Sequence, residues 1–423
     1  MKGNRRNFIK KTAIGITGIS IVPRHVLGKG FIPPSDNFNL GLIGTGGQAR
    51  ELVKRCSKIE NCKIIAASDV HELKLKEFTK MIPEINQDKK INFTTYQNYK
   101  YLISRKDIDG VIISSPDHWH AIQSLESMQA GKDVYCEKPL THTIEEGRIM
   151  VNIARKYKRT LQTGSMQRSN QGGKANWRKA CEIIRNGYLG KTEKVWVDVG
   201  NPSAPCDLPY QPTPKYLDWD RWLGPAPMRS YHDILVEASW FPMWRWYKEF
   251  GGGILSDWGA HHFDIIQWAL GMDNSGPINF IPPIEPTASR GLKMIYSNGV
   301  EVEHKYFMPY TIKFFGSKGS LTINRDFWET DPKYVKNIKL KSSDIKLYNS
   351  SDHVRDWLNS IKNGTNPICD VEIGHRTATI CHIANLAYEL RRPLNWDPLR
   401  EKFVDDIEAN YRRGKVYRKS NEL

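Results

Sequence analysis

The sequence predicts an α/β protein in which a doubly wound parallel sheet is followed by an α+β domain with a large open, mostly antiparallel sheet. The first observation is that short apolar runs alternate with helix-like stretches between residues 39 and 157, the order of strands joined by crossover helices. The second is that the pattern changes near residue 165, after which closely spaced strand-like runs and a hairpin turn are typical of an antiparallel sheet.

The elements of the parallel sheet follow in order. Residues 39–43 form a short apolar run that fits a buried strand, and residues 49–57 have the spacing of a helix. Further strands are predicted at residues 63–68, 110–114 and 133–136, and further helices at residues 119–130 and 144–157. This alternation predicts a parallel sheet with helices on its faces.

The second half of the chain contains runs with the period of strands and then of helices. The predicted strands are residues 194–199, 290–296, 300–307, 311–316 and 319–324, and the predicted helices are residues 353–363 and 376–390. Ser317 and Lys318 join the last two strands as a hairpin.

Composition excludes several classes of protein. With 423 residues, 39% hydrophobic and 26% charged, the chain is long enough for two packed cores and has an ordinary globular composition. The net charge of +16 is spread along the chain without a nucleic-acid-binding motif, so we expect no nucleic-acid partner. The seven cysteines form no CxxC pair, which argues against a zinc knuckle or a disulfide framework.

The N-terminus has the features of an export signal. Arg5 and Arg6 begin the run RRNFIKK, and residues 12–22 form a weakly apolar stretch too short to span a bilayer. This pattern resembles a twin-arginine signal, which predicts a periplasmic protein; a disordered basic tail on a cytoplasmic protein is the alternative. No other segment approaches 18 apolar residues, so we expect no integral membrane segment in the mature protein.

A glycine-rich turn follows the first predicted strand. Gly44 and Gly46 allow a tight turn and a close approach of the backbone to a pyrophosphate, whose charge the next helix N-terminus favours. Asp69 ends the next strand, 25 positions after Gly44, where it can accept hydrogen bonds from ribose hydroxyls and repel a 2′-phosphate. The pattern therefore predicts NAD, with NADP disfavoured. The predicted contacts of this turn are Gly44, Thr45, Gly46, Gly47, Gln48 and Asp69.

Two further motifs follow predicted strands. Residues 115–120 read SPDHWH, and residues 136–139 read CEKP. Together with the glycine turn, the WDRWLGP run at residues 219–225 and the PLNWD run at residues 393–397, they resemble the Gfo/Idh/MocA oxidoreductases, the family of glucose-fructose oxidoreductase and inositol dehydrogenase. The resemblance extends from residue 39 to the C-terminus.

The resemblance implies a Rossmann domain and a larger α/β domain whose open sheet faces the nicotinamide and forms homodimers or homotetramers. We therefore expect residues 1–38 to be a signal and linker, residues 39–165 the NAD-binding domain, and residues 166–423 the substrate and oligomerisation domain. The resemblance also implies further cofactor contacts at Ser115, Pro116, His120, Glu137 and Lys138.

Lys138 is the first candidate catalytic residue. Pro139 disfavours the αR conformation for the residue before it, so Lys138 is expected to be extended at the carboxyl end of a strand, where open α/β sheets bind ligands. A lysine there can hydrogen-bond a substrate hydroxyl and, with a lowered pKa, act as a base.

The segment GGGILSDWGAHHFD, residues 251–264, gathers titratable groups. On a helix Asp257, His261 and Asp264 share one face. The resemblance implies an acid/base role for His261, with Asp257 orienting it or binding a sugar hydroxyl, and Ser256 or Asp257 can cap the helix. A metal site on that face and a buried structural cluster are the alternatives.

Three other residues are expected to line a carbohydrate cleft: Arg168, Trp177 and Arg245. Arg168 follows the predicted strand where the two domains meet, and Arg245 lies in an irregular stretch, residues 200–247. Nine of the 13 tryptophans fall between Trp177 and Trp268. Aromatic faces pack well on the C–H face of a sugar ring, whereas a second packed core would explain the same composition.

The predicted function is the NAD-dependent oxidation of a sugar or glycoside hydroxyl, with C3 as the candidate position. Free NAD is not expected outside the cytoplasm, so an exported enzyme would carry a tightly bound cofactor and recycle it. A redox-neutral glycosidase, which oxidises, eliminates and reduces again, is the alternative within the resemblance. A noncatalytic sugar-binding protein of the same fold is the alternative from another class.

Overall fold

The computed structural model describes residues 37–86, 91–237 and 241–418. The first of its two sheets has six parallel strands in the order β3-β2-β1-β4-β5-β6. Its strands are β1 (Phe38–Ile43), β2 (Cys62–Ser68), β3 (Thr94–Tyr96), β4 (Gly110–Ile113), β5 (Asp133–Cys136) and β6 (Leu161–Thr163). Its connecting helices are α1 (Gly47–Cys56), α2 (Glu72–Asn86), α3 (Tyr99–Ile103), α4 (Asp117–Gln129) and α5 (Ile144–Tyr157). The predicted doubly wound sheet is thus confirmed.

The strand order reverses beside β1, and this reversal creates the ligand-binding edge. β1 pairs in parallel with β2 on one side and with β4 on the other. At their carboxyl ends Gly44 N donates to Ser68 O at 2.8 Å, and Ser114 N donates to Ile43 O at 2.8 Å. The connections that follow β1, β2 and β4 therefore meet at one point, which is where open α/β sheets bind ligands.

The second sheet has nine strands in the order β13-β12-β11-β7-β10-β9-β8-β14-β15. Its strands are β7 (Thr192–Val197), β8 (Pro277–Ile281), β9 (Lys293–Tyr296), β10 (Glu301–His304), β11 (Ile312–Gly316), β12 (Gly319–Ile323), β13 (Trp328–Asp331), β14 (Leu394–Asp397) and β15 (Lys402–Phe403). β10 is parallel to β7, and the other pairs are antiparallel. The sheet is thus mostly antiparallel, as predicted.

Helices from the second half of the chain also complete the core of the parallel sheet. These helices are α6 (Trp177–Arg185), α7 (Trp219–Leu223), α8 (Gly253–Leu270), α9 (His353–Asn363), α10 (Val371–Leu390) and α11 (Ile407–Tyr411). Trp357 of α9 is fully buried in the cluster that contains Leu40 and Leu42 of β1. The nucleotide-binding sheet therefore depends on residues more than 200 positions away for part of its core.

Several helices begin earlier than their apolar pattern indicates. α10 starts at Val371 rather than at residue 376, because the side chain of Asp370 accepts a hydrogen bond from Glu372 N and caps the helix. α4 starts at Asp117 rather than at residue 119.

None of the described helices is long and apolar enough to cross a bilayer. The predicted export signal lies outside the described residues.

Replacing Trp357 with alanine is expected to destabilise the parallel sheet. The indole packs edge-on against Tyr135 at a ring-centroid distance of 5.9 Å, and a Cβ at Gly110 would lie 3.0 Å from it. Trp357→Ala leaves a large cavity and should lower the free energy of unfolding by about 3–5 kcal/mol. Urea unfolding followed by tyrosine and tryptophan fluorescence measures this, and Trp357→Phe should lose less. An unchanged urea midpoint for Trp357→Ala would contradict the assignment of α9 to this core.

Candidate active site

A cavity of about 650 Å³ lies at the carboxyl edge of the parallel sheet. Gly44 in its wall has φ +86°, and a Cβ there would lie 2.8 Å from the backbone of Ser114 and Ser115, so only glycine is accommodated without strain. At Gly46 a Cβ would meet no protein atom within 4 Å, because this residue faces the open cavity. The turn therefore leaves room for a ligand against its backbone.

The predicted dinucleotide contacts surround this space. Gly47 and Gln48 line the cavity at the start of α1, whose first N–H groups favour an anion. Asp69 lines the cavity beside the turn, where its Oδ2 accepts hydrogen bonds from Thr45 N at 2.7 Å and Thr45 Oγ1 at 2.8 Å. Thr45 itself is fully buried and positions this carboxylate. The open backbone at Gly46, the helix terminus and the carboxylate fit a dinucleotide.

The SPDHWH motif contributes two kinds of residue. Ser115 and Pro116 line the cavity as predicted. His120 does not: its Nδ1 lies 2.7 Å from Pro139 O, its Nε2 lies 2.8 Å from Ser115 O, and burial lowers its pKa to about 4. The predicted cofactor contact of His120 is therefore wrong for the side chain. His120 instead ties the loop of Ser115 to the turn that carries Lys138.

Glu137 lies between the glycine turn and the lysine. Its Oε1 accepts a hydrogen bond from Gln48 Nε2 at 2.9 Å, and its Oε2 accepts one from Lys138 N at 3.3 Å. Burial raises the pKa of this carboxyl above its ordinary value, although Lys138 and Gln48 oppose the shift. Glu137 therefore connects the cofactor loop to the lysine through hydrogen bonds.

The most important contact of the site joins the two domains. Lys138 Nζ donates to Asp257 Oδ1 at 2.7 Å and to Asp257 O at 2.9 Å. Burial alone would raise the pKa of Asp257, but the positive charges of Lys138 and Arg245 lower it below its ordinary value. Arg245 lines the cavity, and its Nε lies 3.4 Å from Asp257 Oδ1. Arg245 thus links the cavity to the Lys138–Asp257 pair.

The predicted pairing of Asp257 with His261 is wrong, because Asp257 is bound by Lys138. Among the described residues His261 makes no hydrogen bond, and its Nδ1 is buried without a partner. Burial first, and the charges of Lys138 and Arg325 next, lower the pKa of His261 well below its ordinary value. The imidazole is held neutral, with a ring nitrogen able to accept a proton.

The glycines before α8 let the backbone pass close to another segment of the protein. Gly253 has φ +72°, and a Cβ there would lie 2.4–2.8 Å from the backbone of residues 201–203, so the close approach is to protein. The helix begins at Gly253 with Gly252 as its cap, so neither Ser256 nor Asp257 caps it. Asp257 and His261 consequently lie inside the helix on neighbouring turns of one face.

Three predicted members of the site lie in the core. Arg168 is 1% exposed, and its guanidinium binds Asp264 Oδ2 at 2.8 Å and Asp273 Oδ1 at 2.7 Å. Asp264 thus forms a structural ion pair away from Asp257. Trp177 is fully buried beside His262, at a ring-centroid distance of 6.0 Å. The substrate contacts predicted for Arg168 and Trp177 are therefore wrong.

Among residues 37–86, 91–237 and 241–418 no three His, Cys, Asp or Glu side chains are grouped to hold a metal.

A segment of the second domain, residues 214–237, covers one side of the cavity, and we call it the covering segment. Glu72 N donates to Tyr216 O at 2.9 Å, and His71 Nε2 lies 2.9 Å from Glu237 Oε1. At the other end of the cavity Trp119 Nε1 donates to Trp222 O at 2.9 Å. The tryptophan-rich stretch thus builds a small packed core over the cofactor cleft.

Four residues near the pair were not predicted. Asp117 is 5% exposed, and burial, reinforced by the charge of Asp257, raises its pKa well above its ordinary value. Trp258, Tyr310 and Arg325 form a rim beside His261. Asp117 lies in the SPDHWH motif and Trp258 in the segment GGGILSDWGAHHFD, so both could have been predicted as site residues. Tyr310 and Arg325 belong to loops without a motif.

Two family models match this chain. Residues 38–165 match the model described as oxidoreductase family, NAD-binding Rossmann fold, and residues 192–422 match the model described as oxidoreductase family, C-terminal alpha/beta domain. A glycosyl hydrolase family 109 protein of Shewanella baltica is 29% identical over 205 residues, 44% of each chain. An inositol 2-dehydrogenase of Serratia proteamaculans is 30% identical over 169 residues, 40% of this chain and 47% of that protein. The chain therefore spans less than half the length of these relatives.

Among solved structures, the WlbA dehydrogenase of Bordetella pertussis, in complex with NADH and UDP-GlcNAcA, has the same fold. It aligns with a TM-score of 0.61 at 16% identity, over 85% of this chain and 98% of that chain. Since both family models match in chain order and together cover well over half of the sequence, the chain belongs to the Gfo/Idh/MocA family of oxidoreductases.

Proposed function

We propose that this protein oxidises a hydroxyl group of a sugar or glycoside, with NAD as the hydride acceptor. The observation that carries the proposal is the buried Lys138–Asp257 pair, which Arg245 connects to the glycine-lined cavity. Dehydrogenation of an alcohol needs a group that takes the hydroxyl proton and a donor that stabilises the developing alkoxide. Lys138, which follows β5, and His261 of α8 supply these two functions.

The residues of the cavity would hold the dinucleotide at four places. The glycine turn and the start of α1 would bind the pyrophosphate, and Asp69 would bind a ribose and disfavour a 2′-phosphate. Ser115 and Pro116 would lie along the cofactor, and Glu137 at its nicotinamide half. When bound there, NAD supplies the hydride acceptor of the reaction.

The proton chemistry follows from the electrostatics of the pair. An ammonium that donates to a carboxylate at 2.7 Å is a hydrogen-bond donor rather than a base, so we assign Lys138 the stabilisation of the substrate oxygen. Burial and neighbouring cations lower the pKa of His261, so its ring is neutral, and we assign its unpartnered nitrogen to accept a hydrogen bond from the hydroxyl and then its proton as the hydride leaves. Asp257 keeps the ammonium oriented and would contact a neighbouring sugar hydroxyl.

The covering segment favours a cofactor that stays bound. Lys74 Nζ donates to Val236 O at 2.6 Å, and Asp218 N donates to Val70 O at 3.1 Å, so residues 214–237 close the side of the cavity next to Asp69. A dinucleotide enclosed in this way would leave only when these contacts open. A retained cofactor has to be reoxidised in place, which a second sugar could do in a ping-pong exchange.

A redox-neutral glycosidase is the second candidate, and the match to glycosyl hydrolase family 109 proteins favours it. In that reaction oxidation at C3 makes the C2 proton acidic, and its loss expels the C1 substituent. Water would then add across the C1–C2 double bond, its hydroxyl to C1 and a proton to C2, and reduction at C3 would restore the sugar. Net oxidation state is unchanged, so no second substrate is needed. A noncatalytic sugar-binding protein is disfavoured because Lys138, Asp257 and His261 are all retained.

We also propose a periplasmic location, on the basis of the twin-arginine-like run at the N-terminus. The twin-arginine route carries folded proteins, so the cofactor would be loaded before export. Substitution of Arg5 and Arg6 by lysine should leave the protein in the cytoplasmic fraction. Cell fractionation with immunodetection measures this, with wild type as control. Undiminished periplasmic protein in the double variant would refute the signal.

Gly46→Val is expected to abolish nucleotide binding without unfolding the protein. Wild type should release about one NAD per chain on denaturation, measured by chromatography. A side chain at Gly46 meets no protein atom but projects into the space for the pyrophosphate. Gly276→Val is the matched control, because a Cβ there also meets no atom within 4 Å, away from the cavity. Wild-type protein that neither contains nor binds NAD would contradict the proposal.

Lys138→Ala is expected to lower turnover at least about 100-fold, the lower range for general acid/base groups, while bound NAD is retained. The assay uses p-nitrophenyl glycosides, with released p-nitrophenol and keto sugars detected by absorbance and mass. Release without an added acceptor identifies the glycosidase, and an accumulating 3-keto sugar identifies the dehydrogenase. Lys156→Ala, which removes an exposed lysine of α5, is the control. Unchanged turnover in Lys138→Ala would remove this residue from the mechanism.

A further inference from the structure

The rim beside His261 consists of two aromatic rings and one guanidinium. The rings of Trp258 and Tyr310 are stacked, with centroids 4.0 Å apart and an interplanar angle of 14°. The guanidinium carbon of Arg325 lies 4.4 Å from the centroid of the Trp258 ring. That indole is 6.0 Å from the imidazole of His261. An aromatic surface and a cation thus lie next to the group assigned as proton acceptor.

The aromatic part of this rim is held rigidly. His262 Nε2 lies 2.8 Å from Tyr310 O, and Tyr310 N donates to Asp198 Oδ2 at 3.3 Å. Burial lowers the pKa of His262 to about 3, so its ring is neutral and donates to the carbonyl. Tyr310 has φ +49°, a conformation that a non-glycine residue keeps only where its surroundings fix it. With 37% of Tyr310 exposed, the rim presents a fixed surface to a ligand.

Arg325 has no anionic partner among the described residues. No carboxylate of those residues forms an ion pair with it, and its Nε is buried without a hydrogen-bond partner. Arg168 in the same domain shows the contrast, because its guanidinium binds two carboxylates. Partly buried guanidinium groups are usually hydrogen-bonded, since desolvation of an unpaired charge is costly. The free donors of Arg325 therefore indicate a ligand anion.

The charges around the site favour an anion at the same place. Lys138 and Arg245 both contact Asp257, which leaves Arg325 as an additional cation facing the centre. Burial lowers the pKa of Arg325, although the charges of Asp257 and Glu137 oppose the shift, so the charged guanidinium is destabilised where no anion is bound to it. A bound anion would neutralise the excess positive charge in a poorly solvated place.

We propose that Arg325 binds an anionic substituent, a carboxylate or a sulfate ester, of a sugar whose ring lies against the exposed side of Tyr310. The protein would then act on acidic carbohydrates. The assignment of a substrate rests on the proposed function, whereas the binding itself does not. A guanidinium offers two parallel hydrogen bonds to either anion, which an uncharged hydroxymethyl group cannot match.

Matched pairs of small probes test the subsite on the full, NAD-loaded chain. Binding is measured by calorimetry and tryptophan fluorescence with the methyl glycosides of glucuronic and galacturonic acid, glucose and galactose, and with the 6-sulfates of the two hexoses. At least one anionic probe should bind about tenfold or more tightly than its neutral counterpart. Whether the carboxylates or the sulfates show the preference identifies the anion.

Arg325→Gln should remove that preference, lowering affinity for the anionic probe about tenfold and leaving the neutral probe within about twofold. Arg325→Lys keeps the charge and should retain part of the preference, which covers the case of a glutamine variant that does not fold. Arg400→Gln is the control, because it removes an exposed positive charge whose side chain is 83% exposed. It should leave all affinities unchanged.

Two results would overturn the subsite. One is a wild-type protein that binds no anionic probe more tightly than its neutral counterpart, and the other is an Arg325→Gln variant that keeps the full preference or weakens both probes equally. Lys138→Ala separates the two proposals. Loss of turnover with the anion preference intact supports both, and a preference without any turnover in wild type leaves only the subsite.

Discussion

The ion pair between Lys138 and Asp257 is the contact on which the geometry of the site depends. Lys138 follows β5 of the parallel sheet, and Asp257 belongs to α8 of the other domain, so a 2.7 Å contact between their side chains joins the two units where the cavity ends. The side chain of Asp257 is buried and that of Lys138 is partly buried, with exposed fractions of 9% and 14%. Loss of either partner would leave an uncompensated charge, which is much more costly than loss of an exposed pair.

Burial then divides the histidines of the region into two kinds. His118 and His262 lie within hydrogen-bonding distance of main-chain carbonyls. His118 thereby connects α4 to the covering segment, and His262 connects α8 to the rim. His261 is equally buried, yet it makes no hydrogen bond to the described residues. A neutral imidazole with an unpartnered ring nitrogen can accept a hydrogen bond from a hydroxyl group, whereas the neighbouring cations oppose a positive charge on the ring. The electrostatics of this site therefore depend on the polar groups that remain unpaired as much as on those that are paired.

Local sequence patterns predicted most of the fold. The glycine turn, Asp69 and the CEKP motif all follow buried strands. The reversal of strand order brings the carboxyl ends of these strands together, independently of the sequence elsewhere in the chain. The predictions for Arg168 and Trp177 failed for a common reason. Arginine and tryptophan both suit a sugar cleft, but arginine also forms buried ion pairs and tryptophan also packs in cores. The spacing of these residues along the sequence does not distinguish the two uses. His120 failed similarly, because its neighbours in space are main-chain carbonyls.

The sequence by itself determined the two sheets, the nucleotide turn and the residues Lys138, Asp257 and His261, because periodicity and strand-end motifs depend on neighbours along the chain. Tertiary structure decided how the charged groups are paired. Asp257 meets Lys138 across 119 positions, Asp264 meets Arg168 across 96, and Arg325 meets no carboxylate of the described residues. The two ion pairs follow from how α8 packs against the segments that carry Lys138 and Arg168, since an ion pair forms only where packing brings two desolvated groups within hydrogen-bonding distance.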